Sequence, residues 1–340
     1  MSRTACFFSN SSPAQIEREQ YAINDIRILK ESGFNVVIAT SFGDIPYGCD
    51  LYFGWWASGS ILPLIKAKLS RRPIIVIAGG NESQFYKDSV SGQPYGYLNM
   101  PVHKKISTRL TLRFADRIIA VSDYMRHDIV RLSGRDPLVI GNCVDSEMFS
   151  PGPADQKTLI TTIARLDTDV VRLKRIDNFL HAAKIIISQF PHQKFCIIGH
   201  KGDAFQRLSS LASDLGISQN IQFLGSIANA RIRDWLRNSL VYVQVSDIET
   251  FGVAVAEAMA TATPVVVSGK GALPHLVEDP ICIVDHNSPP SIAGGILRLL
   301  QLDPEMRQQL GAEFRDKIVS RFSFNRRKSS IQKVIAEVCP

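Results

Sequence analysis

The chain has 340 residues, which at ~150 residues per domain predicts about two domains. Apolar types make up 45% and charged types 21%, a mix that excludes wholesale disorder, and 22 Gly with 17 Pro exclude collagen-like or linker-dominated architectures. Against 32 acids stand 39 Lys and Arg, and this mild net charge of +7 favours anionic partners without choosing among nucleic acid, phosphorylated metabolites and an acidic membrane.

In chain order, the first half predicts strands at 4–9, 35–40, 50–54, 73–78, 117–122 and 137–141. Ala22, Ile26 and Leu29 mark one helix face that Gly33 ends, and further helices are expected over 60–70, 102–114 and 123–133. The second half predicts strands at 159–164, 194–199, 221–225, 241–245, 264–268 and 281–284. A helix is expected over 175–189, with Ile176, Leu180, Ala183 and Ile187 as its stripe. Such alternation implies an α/β protein with two doubly wound parallel sheets, whose ligands sit at the carboxyl ends of strands. Facing halves would enclose a cleft. The breaker cluster Phe149-Ser150-Pro151-Gly152-Pro153 sets expected domains of 1–149 and 150–322, with a helix at about 323–338 packing back on the first.

Six cysteines, at 6, 49, 143, 196, 282 and 339, include no pair at zinc or redox spacing, so buried thiols in a reducing compartment are expected. Met1-Ser2-Arg3-Thr4 leads straight into a short strand without the apolar core of a signal peptide. No apolar stretch approaches the ~20 residues of a bilayer span. A cytosolic protein is expected.

The most informative segment runs from Ser246 to Ala260, where an apolar strand (Val241 to Val245) enters a turn and Phe251-Gly252 opens an Ala-rich helix. Free N–H groups at residues 251–253 would suit a phosphate. Glu249 and Glu257, eight positions apart, offer paired acceptors for vicinal hydroxyls, or else belong to a solvated helix with an acid near its positive end. Arg165 ends a strand, and Lys174 stands where Leu173-Lys174-Arg175-Ile176 opens a helix. Converging there, the two cations would neutralise a diphosphate; taken singly, each is an ordinary surface cation. Asp167-Thr168-Asp169 imitates an Asp-x-Asp metal motif, but nothing nearby adds oxygen ligands, and no metal site is expected.

These residues carry a resemblance. Glu249 to Ala260 fits the pattern E-x-F-G-x-x-x-x-E-A-M-A, and the chain resembles family 4 of the retaining glycosyltransferases, with two Rossmann-like domains in the GT-B arrangement. Thr263-Pro264-Val265-Val266-Val267, Phe223-Leu224-Gly225, Ala115 to Ser122 and Val144 to Phe149 resemble further family segments. The resemblance implies that Glu249 holds the donor sugar's hydroxyls and Glu257 the ribose. It implies that Arg165 and Lys174 grip the diphosphate, that Phe251, Gly252 and Val253 supply backbone donors, and that Gly199 and Gly225 to Ile227 border the base. No metal or other cofactor is implied; the nucleotide-diphosphate sugar is a substrate.

The chain also departs from the family pattern. Ser9-Asn10-Ser11-Ser12-Pro13 replaces the usual Gly-Gly loop, Lys174-Arg175 the usual Lys-Gly, and His275 the Glu of Gly-Gly-x-Pro-Glu. Gly79-Gly80-Asn81-Glu82 stands where a first-domain histidine is common. Ser9, Asn10, Asn81, Glu82 and His103 are the acceptor-side candidates.

The seven histidines form no metal-spaced pair, and neither a phosphate loop nor a Gly-x-Ser-x-Gly elbow occurs. Residues 51–81 and 101–115 lack acids but include Lys66, Lys68, Arg71, Arg72, Lys104, Lys105, Arg109 and Arg113. These are solvated faces or, with equal weight, basic helices lying peripherally on anionic lipid or an acidic glycan. No aromatic-interleaved basic groove points to nucleic acid. The expected activity is therefore transfer of a sugar from a nucleotide-diphosphate sugar to a glycan, lipid-linked or other hydroxyl acceptor. The alternatives are a nucleotide-sugar epimerase of similar fold and a silent donor-binding subunit.

Overall fold

The structure, a computed structural model, describes residues 3–17, 19–153 and 157–339. Met1 and Ser2, the start of the segment read for a signal peptide, lie outside the described residues. The chain divides into two compact units, Met1–Cys143 with Phe324–Pro340, and Val144–Ser323.

The first unit contains β1 (Arg3–Phe8), α1 (Pro13–Ile16), α2 (Gln20–Glu31), β2 (Phe34–Ala39), β3 (Leu51–Trp55), α3 (Ile61–Leu69) and β4 (Ile74–Ala78). There follow a short antiparallel pair, β5 (Phe85–Lys87) and β6 (Pro94–Gly96), then α4 (Val102–Phe114), β7 (Arg117–Ala120), α5 (Arg126–Ser133) and β8 (Leu138–Val139). Six parallel strands take the order β2-β1-β3-β4-β7-β8. Every residue of β3 and β4 is buried, as continuous apolar runs in a sheet covered on both faces must be. The expected helix face of Ala22, Ile26 and Leu29 is buried on α2. Residues 123–125, expected as helix, form a 3₁₀ turn leading into α5.

The C-terminal helix (Phe324–Val338) belongs to this unit, burying Ile331, Val334 and Ile335 and making a buried ion pair. Arg327 donates to both oxygens of Asp25 on α2, at 2.7 and 2.8 Å, and Trp55 Nε1 donates to Asp25 at 2.9 Å.

The second unit contains β9 (Leu159–Ile163), α6 (Thr168–Lys174), α7 (Ile176–Gln189), β10 (Lys194–Ile198), α8 (Phe205–Asp214), β11 (Ile221–Gly225), α9 (Asn229–Arg237) and β12 (Ser239–Gln244). It continues through α10 (Val253–Ala260), β13 (Val265–Ser268), α11 (Leu273–Val277), β14 (Ile283–Val284), α12 (Pro289–Leu300) and α13 (Pro304–Phe322). The sheet is again six-stranded and parallel, ordered β11-β10-β9-β12-β13-β14. The breaker cluster at 149–153 lies just inside this unit, because Arg315 on α13 donates to the carbonyls of Ser146, Phe149 and Ala260. All six cysteines are free, and all but Cys339 are buried. Among the described residues, no helix is long and apolar enough to cross a membrane.

Candidate functional site

The strand order of the second sheet locates its ligand crevice. β9 and β12 are neighbours, paired at Thr161 and Tyr242, and the winding reverses between them. In such sheets the crevice opens beyond the carboxyl ends of these two strands. The segments that follow are Ala164 to Asp167 and Val245 to Gly252, which contain the motif residues.

Lys174 and Glu249 come together here, with Nζ 3.3 Å from Oε2 and each side chain about one-quarter exposed or less. The same Oε2 accepts from Gln244 Nε2 at 2.6 Å, and Gln244 Oε1 accepts from Tyr242 at 2.7 Å. Burial raises the Tyr242 hydroxyl well above its ordinary pKa, and the charges of Glu249 and Glu257 push the same way. Lys174, expected where a helix opens, is instead the last residue of α6, because Arg175 takes a left-handed backbone (φ +51°) and α7 opens at Ile176. Arg165 makes a separate pair. Its exposed guanidinium turns back onto Asp167, Nε to Oδ2 at 2.8 Å. Asp169 lies in the first turn of α6, 3.4 Å from Arg172.

The turn before α10 depends on Gly252, whose φ of +94° suits only glycine and which caps the helix by accepting from the Ala256 N–H. α10 starts at Val253 and its first internal bond is made by the Ala256 N–H, so the helix's own N–H groups at 253–255 have no partner within it. Phe251 is buried with its ring against Phe322. Burial pushes the Glu257 carboxyl, the fifth of the eight residues of α10, up to about 8. Gly199 follows β10 at φ +150°, where a side chain would collide with the Ala164 carbonyl, and its N–H donates to Gly225 at 3.1 Å. That approach joins the ends of β9, β10 and β11, with half-buried Ile227 just beyond.

In the first unit the winding reverses between β1 and β3. Buried Ser9 and exposed Asn10 follow β1, and Asn10 lies against Gly59 of the loop after β3. Glu82 accepts from the Ala57 N–H at 3.2 Å, and burial pushes its carboxyl up to about 7. Trp56 packs over Gly80 and against Tyr21. The Asn81 carbonyl lies against Gly96 of β6, and His103 is on the exposed first turn of α4.

Sequence reasoning missed Gln244, Arg175, Asp247 and His286. Arg175 Nη2 donates to Asp247 Oδ2 at 2.6 Å, and His286 Nε2 lies 2.6 Å from Asp247 Oδ1, all buried. The one available signal was Arg175 in place of a glycine after Lys174. Among the described residues, no group of three or more His, Cys, Asp or Glu is arranged to hold a metal ion.

Two α/β units, each built on a six-stranded parallel sheet of this order, define a Rossmann-like protein of the GT-B class. The chain belongs to the glycosyl transferases group 1 family, whose model matches residues 144–317. It is similar to the D-inositol 3-phosphate glycosyltransferase of Streptomyces bingchenggensis (strain BCW-1), 30% identical over 235 residues that cover 62% of this chain and 51% of that one. It is also similar to a phosphatidylinositol N-acetylglucosaminyltransferase subunit of Arabidopsis thaliana, 23% identical over 266 residues covering 73% and 59%. The chain spans about half the length of the curated relatives it matches. In fold it is like sucrose-phosphate synthase from Thermosynechococcus elongatus, with TM-score 0.78, 17% identity and 98% of each chain covered. Anabaena Alr3699/HepE in complex with UDP and glucose matches with TM-score 0.76 and 16% identity, over 98% of this chain and 100% of that one.

Proposed function

We propose that the second unit binds a nucleotide-diphosphate sugar and that the protein transfers the sugar to a hydroxyl acceptor with retention of anomeric configuration. The observation that carries this reading is the Lys174–Glu249 pair at the switch point of the second sheet, beside the α10 amino terminus. Glu257 would accept from the ribose hydroxyls and Glu249 from the sugar. Lys174, the α10 N–H groups and Arg165, once released from Asp167, would receive the diphosphate. Gly199, Gly225 and Ile227 would border the base. Such preplaced cations and amides favour the charge that grows on a departing diphosphate.

As the anomeric carbon–oxygen bond to phosphate breaks, the bond to the acceptor oxygen forms on the same face, and a phosphate oxygen takes the acceptor's proton. No metal is needed in this scheme, since the chain's own cations serve the leaving group. Asp167 and Asp169 are moreover engaged by Arg165 and Arg172. The acceptor side is assigned to Ser9, Asn10, Asn81, Glu82 and His103 of the first unit. Glycan, inositol-type and lipid-linked hydroxyls are its candidate classes, in line with the names of the relatives.

Peripheral contact with an anionic membrane is part of the reading. On α4, Val102, Ile106 and Leu110 form an exposed apolar stripe beside the basic stripe of Lys105, Arg109 and Arg113. On α3, by contrast, Lys68 is paired with Asp116, and Arg72 beyond the helix end with Asp50.

The test is a thermal-shift screen of nucleotide sugars, followed by transfer assays in which NMR reads the product's anomeric configuration. Stabilisation by one donor and a retained configuration in EDTA are expected. An inverted product, or turnover abolished by EDTA and restored by a divalent metal, would overturn the mechanism. A sugar isomerised without an acceptor would identify an epimerase instead.

A further inference from the structure

Arg175 is an unusual residue for its place. Its backbone (φ +51°, ψ 42°) is one that glycine adopts freely and a residue with a Cβ adopts under strain. Persistent strain of this kind marks positions that the surroundings over-determine, and those cluster at functional sites. The surroundings are specific. The Arg175 guanidinium, Asp247 carboxylate and His286 ring are 8%, 2% and 3% exposed as residues, and both Asp247 oxygens are engaged at 2.6 Å. The Asp247 N–H closes on the Leu173 carbonyl at 2.7 Å, and Asn178 Nδ2 holds the His286 carbonyl at 2.8 Å.

Three segments distant in sequence are thereby fastened at one point. Lys174 directly precedes Arg175, and Glu249 comes two residues after Asp247. A buried charge network is seldom the most stabilising way to fill a core, since desolvation offsets much of its attraction. What it supplies is fixed geometry, and here the two fixed backbones carry the Lys174–Glu249 pair.

We propose that Arg175, Asp247 and His286 are positioning residues, a buried latch that sets Lys174 against Glu249. Its consequence for turnover rests on the donor-binding reading above. Its structural part does not.

Two measurements separate them. The first is the rate at which an acylating reagent labels Lys174, followed by peptide mass spectrometry with Lys184 as internal control. Arg175→Gly suits the backbone and removes the latch. It should raise Lys174 labelling about tenfold, the scale of losing a charged hydrogen bond, and leave Lys184 unchanged. His286→Gln keeps an N–H donor and should stay near the parent rate, whereas His286→Ala should move with Arg175→Gly. Should Arg175→Gly not fold, the two His286 variants carry the same comparison.

The second measurement is turnover with the donor found by screening. Arg175→Gly should lower kcat about tenfold, change nucleoside diphosphate affinity far less, and add nothing in a Lys174→Ala background. Unchanged Lys174 labelling in Arg175→Gly, or a kcat loss fully additive with Lys174→Ala, would overturn the latch. If the parent protein turns over no nucleotide sugar, the functional reading fails and the labelling alone decides the latch.

Discussion

Both units bury an aspartate near the switch point of their sheet and engage both of its oxygens with an arginine and a ring N–H. In the first unit Asp25 takes Arg327 and Trp55; in the second Asp247 takes Arg175 and His286. The partners differ in where they come from. Arg327 is 302 residues from Asp25, on a helix that completes the unit, and neither residue adjoins a candidate site group. Arg175 adjoins Lys174, and Asp247 nearly adjoins Glu249. The same arrangement of charges thus joins distant parts of the chain in one sheet and, in the proposed reading, sets the groups for chemistry in the other. Burial and bond length do not distinguish the two roles; the neighbours in sequence do.

The Arg327–Asp25 pair gives the largest expected effect. Arg327→Ala leaves Asp25 buried without its cation and should cost about 3–5 kcal/mol of stability by denaturant unfolding. Nucleoside diphosphate affinity of the folded fraction should hold, because that site is assigned to the other unit. An Arg327 variant as stable as the parent would erase the contrast.

On the chemical side, Lys174→Ala and Arg165→Ala should each lower turnover by ~10²–10³, the scale of one preorganised electrostatic group, with a near-parental Tm. Full activity in Lys174→Ala would remove the ammonium from the scheme.

The carboxylates sharpen the picture further. Glu257→Ala should weaken nucleoside diphosphate binding by ~1–3 kcal/mol in calorimetry, while Glu249→Ala spares it and damages sugar-dependent turnover. With its carboxyl pushed up to about 8, Glu257 is protonated in the free protein at neutral pH. The ionised form is the better acceptor for two hydroxyls, so nucleoside diphosphate affinity should climb from pH 6 to 8, and Glu257→Gln should flatten that climb. For stability the sign is opposite. The folded chain keeps a proton that an unfolded carboxyl releases near 4.5, so this group's contribution declines from there to about pH 8.

The smallest effect belongs to the first unit's surface. Neutralising Lys105, Arg109 and Arg113 should weaken co-sedimentation with anionic vesicles by ~1 kcal/mol per charge. The loss should be greatest at low salt. Neutralising Lys68 and Arg72 should do less, because Asp116 and Asp50 already offset them. Vesicle binding that ignores all five would leave these as solvated faces.

Much of this molecule was legible because its signals are local. Runs such as Ile74–Ala78 announce buried strands, and the Ala22, Ile26 and Leu29 face of α2 announces its helix. Glu249, Phe251, Gly252 and Glu257 share one strand–turn–helix passage and are legible together. The hairpin of β5 and β6 was missed because its strands have three residues each and Pro94 opens the second. Lys174 falls on the other side of a helix break from the one expected, since arginine gives no hint of a left-handed backbone. Arg175, Asp247 and His286 could not be joined from sequence, as their contacts span 72 and 39 residues and follow no periodicity.

The discontinuity of the first unit bears on how the polypeptide is made. Asp25 leaves the ribosome 302 residues ahead of the arginine that neutralises it, while the second unit is one uninterrupted stretch. Domains tend to fold as units during synthesis. The second unit can therefore close around its own core while the first, although translated earlier, still waits for residues 324–338. A chain that stopped short of Arg327 would keep the whole of its second unit and leave the Asp25 carboxylate of its first without a cation.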